Sequence, residues 1–366
     1  MHHVNILIAV LSLTGCSAAL TPKEEVISTL KSASDNCVPL FGHQDDLMYG
    51  HTWNATKDND HLLERSDVLS TGGAYPYILG LDLGWLEVDS PCNLDGNDFS
   101  IMREAAVKHY ERGGVVTVSW HLRNPLTGGD TWDVSSDRVV ESILPGGEKH
   151  EYFMGWLERV ANYIGSLKDS EGRQIPVIFR PWHEHTGGWF WWGIGLCSPQ
   201  QFNDLWKMTY NYIVGERKLT ELVWAISPNS LSENFERWEE RYPGDEYVDI
   251  VGLDCYCSTY RTQEEALPAF KSDIARCLGS LNDFAVKHGK ILALTETGYE
   301  GLTYEKWWTE VLSPAIEGIP IAYLLVWRNT DEMPRGMTHF YAPWPGGPSE
   351  QDFREYVDKG EIKLLQ

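Results

Sequence analysis

Eight short β-rich runs, separated by segments with helical periodicity, constrain the fold of this 366-residue chain more than any other feature. Most of the runs begin with nearly continuous apolar residues, which is typical of parallel strands buried on both faces. They span residues 39–46, 75–85, 114–121, 176–184, 221–229, 249–256, 291–298 and 322–329. Eight strand–helix units in a chain of this length predict an α/β protein with one (β/α)8 TIM barrel.

The segments between the runs carry apolar residues at three- and four-residue steps with charges between them, which indicates helices. They span residues 98–112, 149–168, 199–217, 264–288 and 303–316. We expect a further helix at 22–36 and a closing helix with a tail at 349–366. Because no linker rich in Pro, Gly or Ser divides the chain, residues 22–366 are predicted to form a single domain.

The first residues are typical of an export signal. The apolar run from Val4 to Leu13 is too short to span a bilayer and matches the hydrophobic region of a secretory signal. The tetrapeptide LTGC that ends at Cys16 resembles a bacterial lipobox, although no Lys or Arg precedes the run. We therefore predict a lipoprotein-type signal over residues 1–16 and export to the periplasm or outer membrane; an ordinary cleaved signal is the alternative. The sequence leaves the pairing of the other six cysteines open.

Composition narrows the possible partners. A formal net charge of −23 repels phosphate backbones and anionic lipid surfaces, so no nucleic acid is expected as a partner, and membrane contact only through a lipid anchor at Cys16. A neutral ligand is unaffected by this field. The 16 Trp and 17 Tyr residues suit the flat faces of sugar rings, although they also suit core packing. We expect a monomer.

The carboxyl ends of the predicted strands are rich in polar and aromatic residues, and active sites of barrels of this type lie at these ends. The residues are His43, Gln44, Asp82, Trp120, His121, His183, Glu184, Asn229, Asp254, Tyr256, Glu296, Trp327 and Arg328. Alternation along a strand also predicts that Arg180, Trp182 and Glu184 share one face of the fourth strand. We interpret this convergence as a functional site.

Several common kinds of site do not fit the motifs. HEHTGG is not the HExxH zinc helix because position 187 is Gly. His183 and His185, with His121 as a third ligand, form a less favoured metal alternative. Neither a GxSxG nucleophile elbow nor a glycine-rich phosphate loop is present. We therefore expect no metal ion and no other cofactor.

Two glutamates stand out at the ends of apolar strands, where a carboxylate is costly unless partners hold it. Glu184 ends the fourth strand and Glu296 the seventh. Two carboxyl groups that flank one bond are the usual apparatus of glycoside hydrolysis: one stays protonated as the acid and the other stays ionised as the nucleophile. Arg180 and Arg328 are the cations expected to hold the ionised carboxylate.

These motifs resemble a known family. RPWHEHTGGWFWWG at 180–193 closely resembles the acid/base signature of glycoside hydrolase family 26, and LTETG at 294–298 is similar to its nucleophile strand. The resemblance extends from FGHQDD near residue 41 to LLVWRN at 324–329. It implies a barrel with the acid/base on strand four and the nucleophile on strand seven, which agrees with our strand count.

The resemblance also implies a role for individual residues. Glu184 is the expected acid/base and Glu296 the expected nucleophile, with Tyr256 hydrogen-bonded to the nucleophile and Trp327 beneath the reacting sugar. The expected substrate-binding residues are His121, His183, Trp189, Tyr256, Trp327 and Arg328. If alternation holds across 189–192, two of these four aromatic residues face ligand and two face protein.

Members of that family are mostly β-mannanases. The implied function is a retaining hydrolase of β-1,4-mannosidic bonds in mannan, galactomannan or glucomannan, either endo-acting or mannobiose-releasing. Segments 122–150 and 186–200 are candidates for blocking one end of the groove. A β-1,3-xylanase or mixed-linkage β-glucanase on the same fold is the alternative enzyme. The non-enzymatic alternative is a glycan-binding barrel lipoprotein, in which both glutamates would be dispensable.

Overall fold

The structure, a computed structural model, describes residues 19–231, 234–330 and 339–366. Its centre is a closed barrel of eight parallel strands. The strands are β1 (Leu40–Gln44), β2 (Ile78–Asp82), β3 (Val115–Ser119), β4 (Val177–Arg180), β5 (Leu222–Ile226), β6 (Ile250–Cys257), β7 (Ile291–Tyr299) and β8 (Ile321–Val326). They pair in chain order and β8 pairs with β1. The predicted (β/α)8 barrel is confirmed. The predicted signal over residues 1–16, with Cys16, lies outside the described residues.

Helices cover the barrel close to the predicted positions. The α-helices are Pro22–Asp35, Ala55–Asp58, Asp67–Gly72, Phe99–Glu111, Val139–Ile143, His150–Gly165, Pro199–Tyr210, Gln263–His288, Ser313–Ile316 and Glu350–Asp358. The 3-10 turns are Leu86–Val88, Phe235–Arg241, Asp245–Tyr247 and Glu300–Leu302, and the π-helical turns are Asn211–Glu216 and Trp307–Leu312. Two-residue strands pair as Tyr49–Gly50 with Trp53–Asn54 and as Asn329–Thr330 with His339–Phe340. Within the described ranges, no helix has the length and apolarity to cross a membrane.

Local sequence explains where two of these helices begin. The helices Pro22–Asp35 and Pro199–Tyr210 each begin with a proline, whose missing N–H costs nothing at that position. Each is preceded by a capping box, formed by Thr21 with Glu24 in the first case and by Ser198 with Gln201 in the second. The hydroxyl and the carboxyl or amide group satisfy backbone N–H groups that have no partner within the helix.

The interior of the barrel is filled by a core of its own. Every barrel strand contributes buried apolar side chains to it. They include Leu40, Ile78, Val115, Ile178, Val223, Ile250, Ile291 and Leu325. Further along the strands the inward side chains become polar, as Asp82, Arg180 and Asp254 illustrate. These inward polar side chains therefore pack directly on the apolar core of the barrel interior. Because that core is closely packed, they have little room to move.

Strand β6 illustrates how alternation separates function from packing. Ile250 packs in the barrel interior, while Cys255 and Cys257 pack in the outer layer between the strands and the helices. The outer layer also contains Cys277, from the helix Gln263–His288. The six described cysteines are all free thiols. Cys255 and Cys257, which flank Tyr256 in the sequence, are thus buried packing residues on the opposite face of the strand.

Strand β7 carries an irregularity that the sequence pattern did not indicate. In its pairing with β6, Leu294 lies opposite Leu253, but Glu296 lies opposite the next residue, Asp254. Thr295 is therefore an extra residue in the ladder, the arrangement of a β-bulge. Ala293 packs in the barrel interior, and strict alternation from it would turn position 296 outward. Because of the bulge, Glu296 lies on the same side as Asp254.

Candidate active site

The predicted nucleophile is held by a cation and a phenol. Glu296 is buried, and its Oε1 atom accepts a hydrogen bond from the Arg180 guanidinium. Its Oε2 atom accepts a hydrogen bond of 2.8 Å from the Tyr256 hydroxyl. The pKa of Tyr256 is raised well above its ordinary value by burial and by the nearby negative charge of Glu296, so the phenol remains a donor. Both contacts favour an ionised carboxylate.

Arg180 also binds a second carboxylate, that of Asp254. Its Nη1 atom lies 3.0 Å from Asp254 Oδ2, which accepts a further hydrogen bond of 2.8 Å from the Ser227 hydroxyl. The Thr295 hydroxyl donates to Asp254 Oδ1 at 2.6 Å. Burial by itself would lower the pKa of Arg180, but the charges of Asp254 and Glu296 raise it above its ordinary value. One fixed positive charge is thus shared by two carboxylates.

The hydrogen-bond donors that the described residues offer to the predicted acid/base are both neutral. Glu184 Oε1 accepts from Asn229 Nδ2 at 2.7 Å, and Oε2 accepts from the Trp189 indole N–H at 2.6 Å. Burial, followed by the charges of Glu296 and Asp254, raises the pKa of Glu184 to about 8. A carboxyl group with this pKa holds a proton at neutral pH, as a general acid must.

The backbone that carries Glu184 is not an extended strand. Strand β4 ends at Arg180, and both Trp182 and Glu184 have left-handed backbone conformations, with φ of 55° and 51°. The prediction that Arg180, Trp182 and Glu184 share one face is therefore wrong for Trp182. Its side chain packs in the hydrophobic core against Trp120, with ring centroids 5.7 Å apart.

Three carboxylates meet at this site. One oxygen from each of Glu184, Asp254 and Glu296 lies within 4.8 Å of the others. Such a group has the spacing of a metal site, but two of its members already bind the Arg180 guanidinium. Burial raises the pKa of Asp254 to about 7, and Glu296 adds to that effect while Arg180 opposes it. The positive charge at this group of carboxylates thus comes from the Arg180 side chain.

The two predicted histidines form a pair on the other side of the barrel. His121 Nε2 and His183 Nε2 lie 3.0 Å apart, and His121 Nδ1 lies 2.7 Å from Asp82 Oδ2. Burial lowers the pKa of His183 well below its ordinary value, and the nearby Arg180 guanidinium adds to this effect. His185 instead packs on Phe202, with ring centroids 4.8 Å apart. The geometry therefore joins His121 to His183 and separates His185 from the pair.

The aromatic run at 189–192 divides unevenly. Trp189 is partly exposed and meets Glu184, whereas Phe190, Trp191 and Trp192 are buried in the hydrophobic core. The expectation of two aromatic residues toward ligand and two toward protein is therefore wrong. Most tryptophans of the chain serve the core as well. Those that are fully buried are Trp120, Trp182, Trp191, Trp192, Trp206, Trp224, Trp238, Trp307 and Trp308.

A cavity of about 250 Å³ adjoins the histidine pair, between the ends of β1, β2, β3 and β8. Its wall includes His121 and two exposed tryptophans, Trp85 and Trp132, which are 41% and 51% accessible. Trp327 lies next to it, with its ring centroid 6.0 Å from that of His121. A cavity with flat apolar faces and polar side chains suits a sugar ring.

Arg328 lines the same cavity and forms an ion pair with Asp95. The sequence predicts Arg180 and Arg328 as the cations that hold the ionised carboxylate. Arg180 does so, whereas the ion pair of Arg328 fixes the loop that follows β2. That loop and residues 130–132 both line this cavity. The predicted blocking segment 122–150 therefore contributes only in part to the cavity wall.

Sequence reasoning placed the eight predicted site residues in one region but left out several of their partners. The contacting residues outside that set of eight are Asp82, Asp95, Arg180, Asn229 and Asp254. Position at a strand end indicates Asp82, Asn229 and Asp254 as polar residues of this region, and Arg180 is one of the two expected cations. Nothing in the pattern indicated the loop residues Trp85, Asp95 and Trp132. The roles of the predicted residues in binding and catalysis remain predictions.

Comparison with known proteins decides the family. The sequence model described as Glycosyl hydrolase family 26 matches residues 26–282. The chain belongs to glycosyl hydrolase family 26. The match includes β1 to β6 and therefore Glu184, Asp254 and Tyr256, while Glu296 lies beyond its end.

Individual relatives cover more of the chain. The solved structure of a GH26 β-mannanase from Bacteroides ovatus is 42% identical to this chain, with a TM-score of 0.86. The match covers 94% of this chain and 96% of the β-mannanase chain. The catalytic domain of an endo-β-1,4-mannanase from Bacillus sp. JAMB-750 is 30% identical with a TM-score of 0.84 over 95% of this chain and 92% of its own. A mannan endo-1,4-β-mannosidase from Bifidobacterium adolescentis is 29% identical over 86% of this chain and 33% of its own. The chain spans about a third and about half of the lengths of the first two curated relatives that it matches.

Proposed function

We propose that this chain hydrolyses β-1,4-mannosidic bonds in mannan, galactomannan or glucomannan, with retention at the anomeric carbon. Glu296 is the nucleophile and Glu184 is the acid/base. The relatives with 42% and 30% identity are a β-mannanase and an endo-β-1,4-mannanase, which favours mannan over β-1,3-xylan and mixed-linkage β-glucan. Two differently tuned buried carboxyl groups favour hydrolysis over glycan binding alone.

The observation that carries this proposal is the proximity of the two glutamates. A carboxylate oxygen of Glu184 lies within 4.8 Å of one of Glu296. Retaining enzymes separate their carboxyl groups by about 5–5.5 Å, whereas inverting enzymes leave about 6.5–9.5 Å for a water molecule between them. An oxygen pair within 4.8 Å is closer than the inverting range and supports direct attack by Glu296 on the sugar.

The contacts of each glutamate suit its step. Glu296, which Arg180 and Tyr256 hold, attacks the anomeric carbon through an oxygen while Glu184 donates its proton to the departing glycosidic oxygen. The charge of Glu296 is then lost to the glycosyl ester, so the pKa of Glu184 falls toward its ordinary value. Glu184 can now accept a proton from water, which attacks the anomeric carbon, breaks the ester and restores Glu296.

Chemical rescue tests the two assignments separately. Glu296→Gly and Glu184→Ala should each lose at least about 1000-fold in the release of reducing sugar from mannan. With an aryl β-mannobioside, added azide should restore turnover as the α-azide for the nucleophile variant and the β-azide for the acid/base variant. Exposed Glu158, on a peripheral helix, is a matched control whose change to Gln should leave the rate unaltered. Unaltered release of reducing sugar in either glutamate variant would overturn the mechanism.

Product analysis tests the substrate and the mode of action. Mannan, galactomannan, β-1,3-xylan and mixed-linkage β-glucan should be compared at equal enzyme concentration. Faster cleavage of xylan or β-glucan than of mannan would overturn the mannanase proposal. Mannobiose as the first product would indicate exo action, and a ladder of sizes would indicate endo action.

Metal dependence is tested by treatment with EDTA. We propose that Arg180 supplies the positive charge beside the nucleophile, so catalysis requires no divalent cation. Turnover of mannan should be equal before and after exhaustive chelation. A loss that Ca²⁺, Mg²⁺ or Zn²⁺ restores would contradict this.

We also propose export and a lipid anchor at Cys16, supported by the signal-like residues 1–16. Cells that express the full chain should place it in the membrane fraction and incorporate labelled palmitate into it. A Cys16→Ser variant should lose the label. Label that persists in this variant would contradict the anchor at Cys16.

A further inference from the structure

Asp82, at the end of β2, accepts four hydrogen bonds although its side chain is fully buried. Oδ1 accepts from the backbone N–H groups of Gly84 at 2.7 Å and His121 at 3.2 Å. Oδ2 accepts from the Ser119 hydroxyl at 2.6 Å and faces His121 Nδ1 at 2.7 Å. Burial alone would raise the pKa of Asp82, but His121 and these donors lower it to about 2. Asp82 is therefore ionised.

The ionised carboxylate determines the tautomer of His121. Since a carboxylate only accepts hydrogen bonds, the proton of that contact must lie on His121 Nδ1. In the neutral ring this leaves Nε2 of His121 as an acceptor, and it lies 3.0 Å from Nε2 of His183. His183, whose pKa is well below its ordinary value, is neutral and donates through Nε2–H. One buried charge thus orders the protons of two rings.

His183 lies between the two left-handed residues of the catalytic segment, Trp182 and Glu184. Left-handed φ values at such bulky residues are costly and persist only where surrounding contacts enforce them. The His183 carbonyl oxygen accepts from the Trp192 indole at 2.9 Å, and its ring is held by His121. Among the described residues, the ring contact is therefore one of two hydrogen bonds that hold His183, the residue adjacent to the acid/base.

We propose that Asp82 is a positioning residue, which acts through His121 and His183 to hold the left-handed segment that presents Glu184 to the glycosidic oxygen. The proposal rests on the proposed function for its kinetic consequence, but its proton arrangement stands without it. A mispositioned acid should matter most when the leaving group is poor and needs full protonation.

The tautomers can be measured directly in the wild-type chain. Two-bond ¹⁵N–¹H correlations of ¹⁵N-histidine-labelled protein distinguish Nδ1–H from Nε2–H. We expect Nδ1–H on His121 and Nε2–H on His183. A His121 ring that lacks the Nδ1 proton would overturn the proposal, whether or not the protein cleaves mannan. This result also stands if a variant fails to fold.

The variant Asp82→Asn tests the kinetic consequence. The backbone donors retain the amide oxygen at the Oδ1 position, so the amide nitrogen faces His121 Nδ1 and forces the opposite tautomer. To keep its contact with His121 Nε2–H, His183 must then move its own proton to Nδ1, a buried atom without a hydrogen-bond partner among the described residues. We expect kcat/KM on mannan to fall about 100-fold, but kcat/KM on 2,4-dinitrophenyl β-mannobioside, whose leaving group needs little acid help, to fall less than about tenfold.

Two further variants control this experiment. Ser119→Ala removes a donor to Asp82 but keeps its charge, so the loss on mannan should be several-fold smaller than that of Asp82→Asn. If Asp82→Asn does not fold, His121→Gln provides the same two-substrate ratio. Equal losses on the two substrates, together with an unchanged His121 tautomer, would indicate a structural role alone and overturn the proposal.

Discussion

Glu184 and Asp82 are both buried carboxyl groups at the carboxyl end of the barrel, yet their pKa values are shifted in opposite directions. The pKa of Glu184 is raised to about 8 and that of Asp82 is lowered to about 2. Burial favours the neutral form in both. The two groups differ in their neighbours. Glu184 accepts from two neutral donors and lies near two carboxylates, whereas Asp82 accepts four hydrogen bonds, one of them from the His121 ring.

This difference shows how neighbouring groups determine which buried carboxyl group keeps its proton. On the β4–β7 side, the Arg180 cation is shared by Asp254 and Glu296, and Glu184 accepts from the neutral donors Asn229 and Trp189. On the β2–β3 side, Asp82 is matched by its donors and stays charged. Because both groups are buried, the donors and charges around each one determine which group can serve as an acid.

The largest expected effect follows from removing the shared cation. Arg180→Met should lower kcat on an aryl β-mannobioside at least about 1000-fold, because Glu296 loses its charged partner. It should also lower the free energy of unfolding by about 3–5 kcal/mol, since two buried carboxylates remain without a cation. Initial rates and urea denaturation measure the two effects.

Two further variants control that experiment. Arg159→Met breaks an exposed ion pair with Asp89, so it should cost less than about 1 kcal/mol and leave the rate unaltered. The double variant Arg180→Met/Asp254→Asn should recover part of the lost stability but not the rate. Full activity in Arg180→Met would contradict the role of the cation.

An intermediate effect is expected at Trp189. Trp189→Phe keeps an aromatic ring but removes the N–H that donates to Glu184, a contact that favours the ionised form. The pKa of Glu184 should therefore rise further, and the alkaline limb of the pH profile of kcat/KM should move to higher pH. The rate should fall about 10–100-fold. Trp132→Phe, at the more distant cavity, is the matched control; an alkaline limb that shifts equally in both variants would refute the contact.

The dependence of stability on pH provides a third test. A group whose folded pKa is raised keeps its proton in the folded state while the unfolded chain ionises, so Glu184 should destabilise the fold as pH rises from about 4.5 to about 8. Glu184→Gln should remove this penalty. Its advantage in melting temperature over the wild type should grow between pH 5 and pH 8.5 and should be absent in the exposed control Glu158→Gln. A constant difference would show that the raised pKa is wrong.

The smallest effect is expected at the exposed rim of the cavity. Trp85→Ala removes a 41% accessible aromatic face without disturbing the buried charges. We expect KM for manno-oligosaccharides to rise about three- to tenfold, the loss of roughly 1 kcal/mol of stacking, with kcat and the melting temperature nearly unchanged. Exposed Tyr152, on a helix outside the barrel, offers a control as Tyr152→Ala. An unaltered KM in Trp85→Ala would exclude the cavity as a sugar site.

Much of this architecture could be predicted from the sequence. The eight apolar runs predicted the strands because parallel strands buried on both faces leave a clear local signal. The same count placed Glu184 on the fourth strand and Glu296 on the seventh. The loop after β2, with Trp85 and Asp95, could not be predicted to line the site, because loop position depends on contacts distant in sequence.

The sequence by itself determined the barrel and the family and predicted the pair of glutamates, since these depend on patterns within short windows. Only the tertiary structure decided how the glutamates reach one another. Glu296 faces inward because Thr295 forms a bulge against β6, and Glu184 does so because the chain turns left-handed after β4. Both are departures from regular geometry that long-range contacts stabilise. The proton on each carboxyl group depends on those same contacts, because charges separated in sequence act through space.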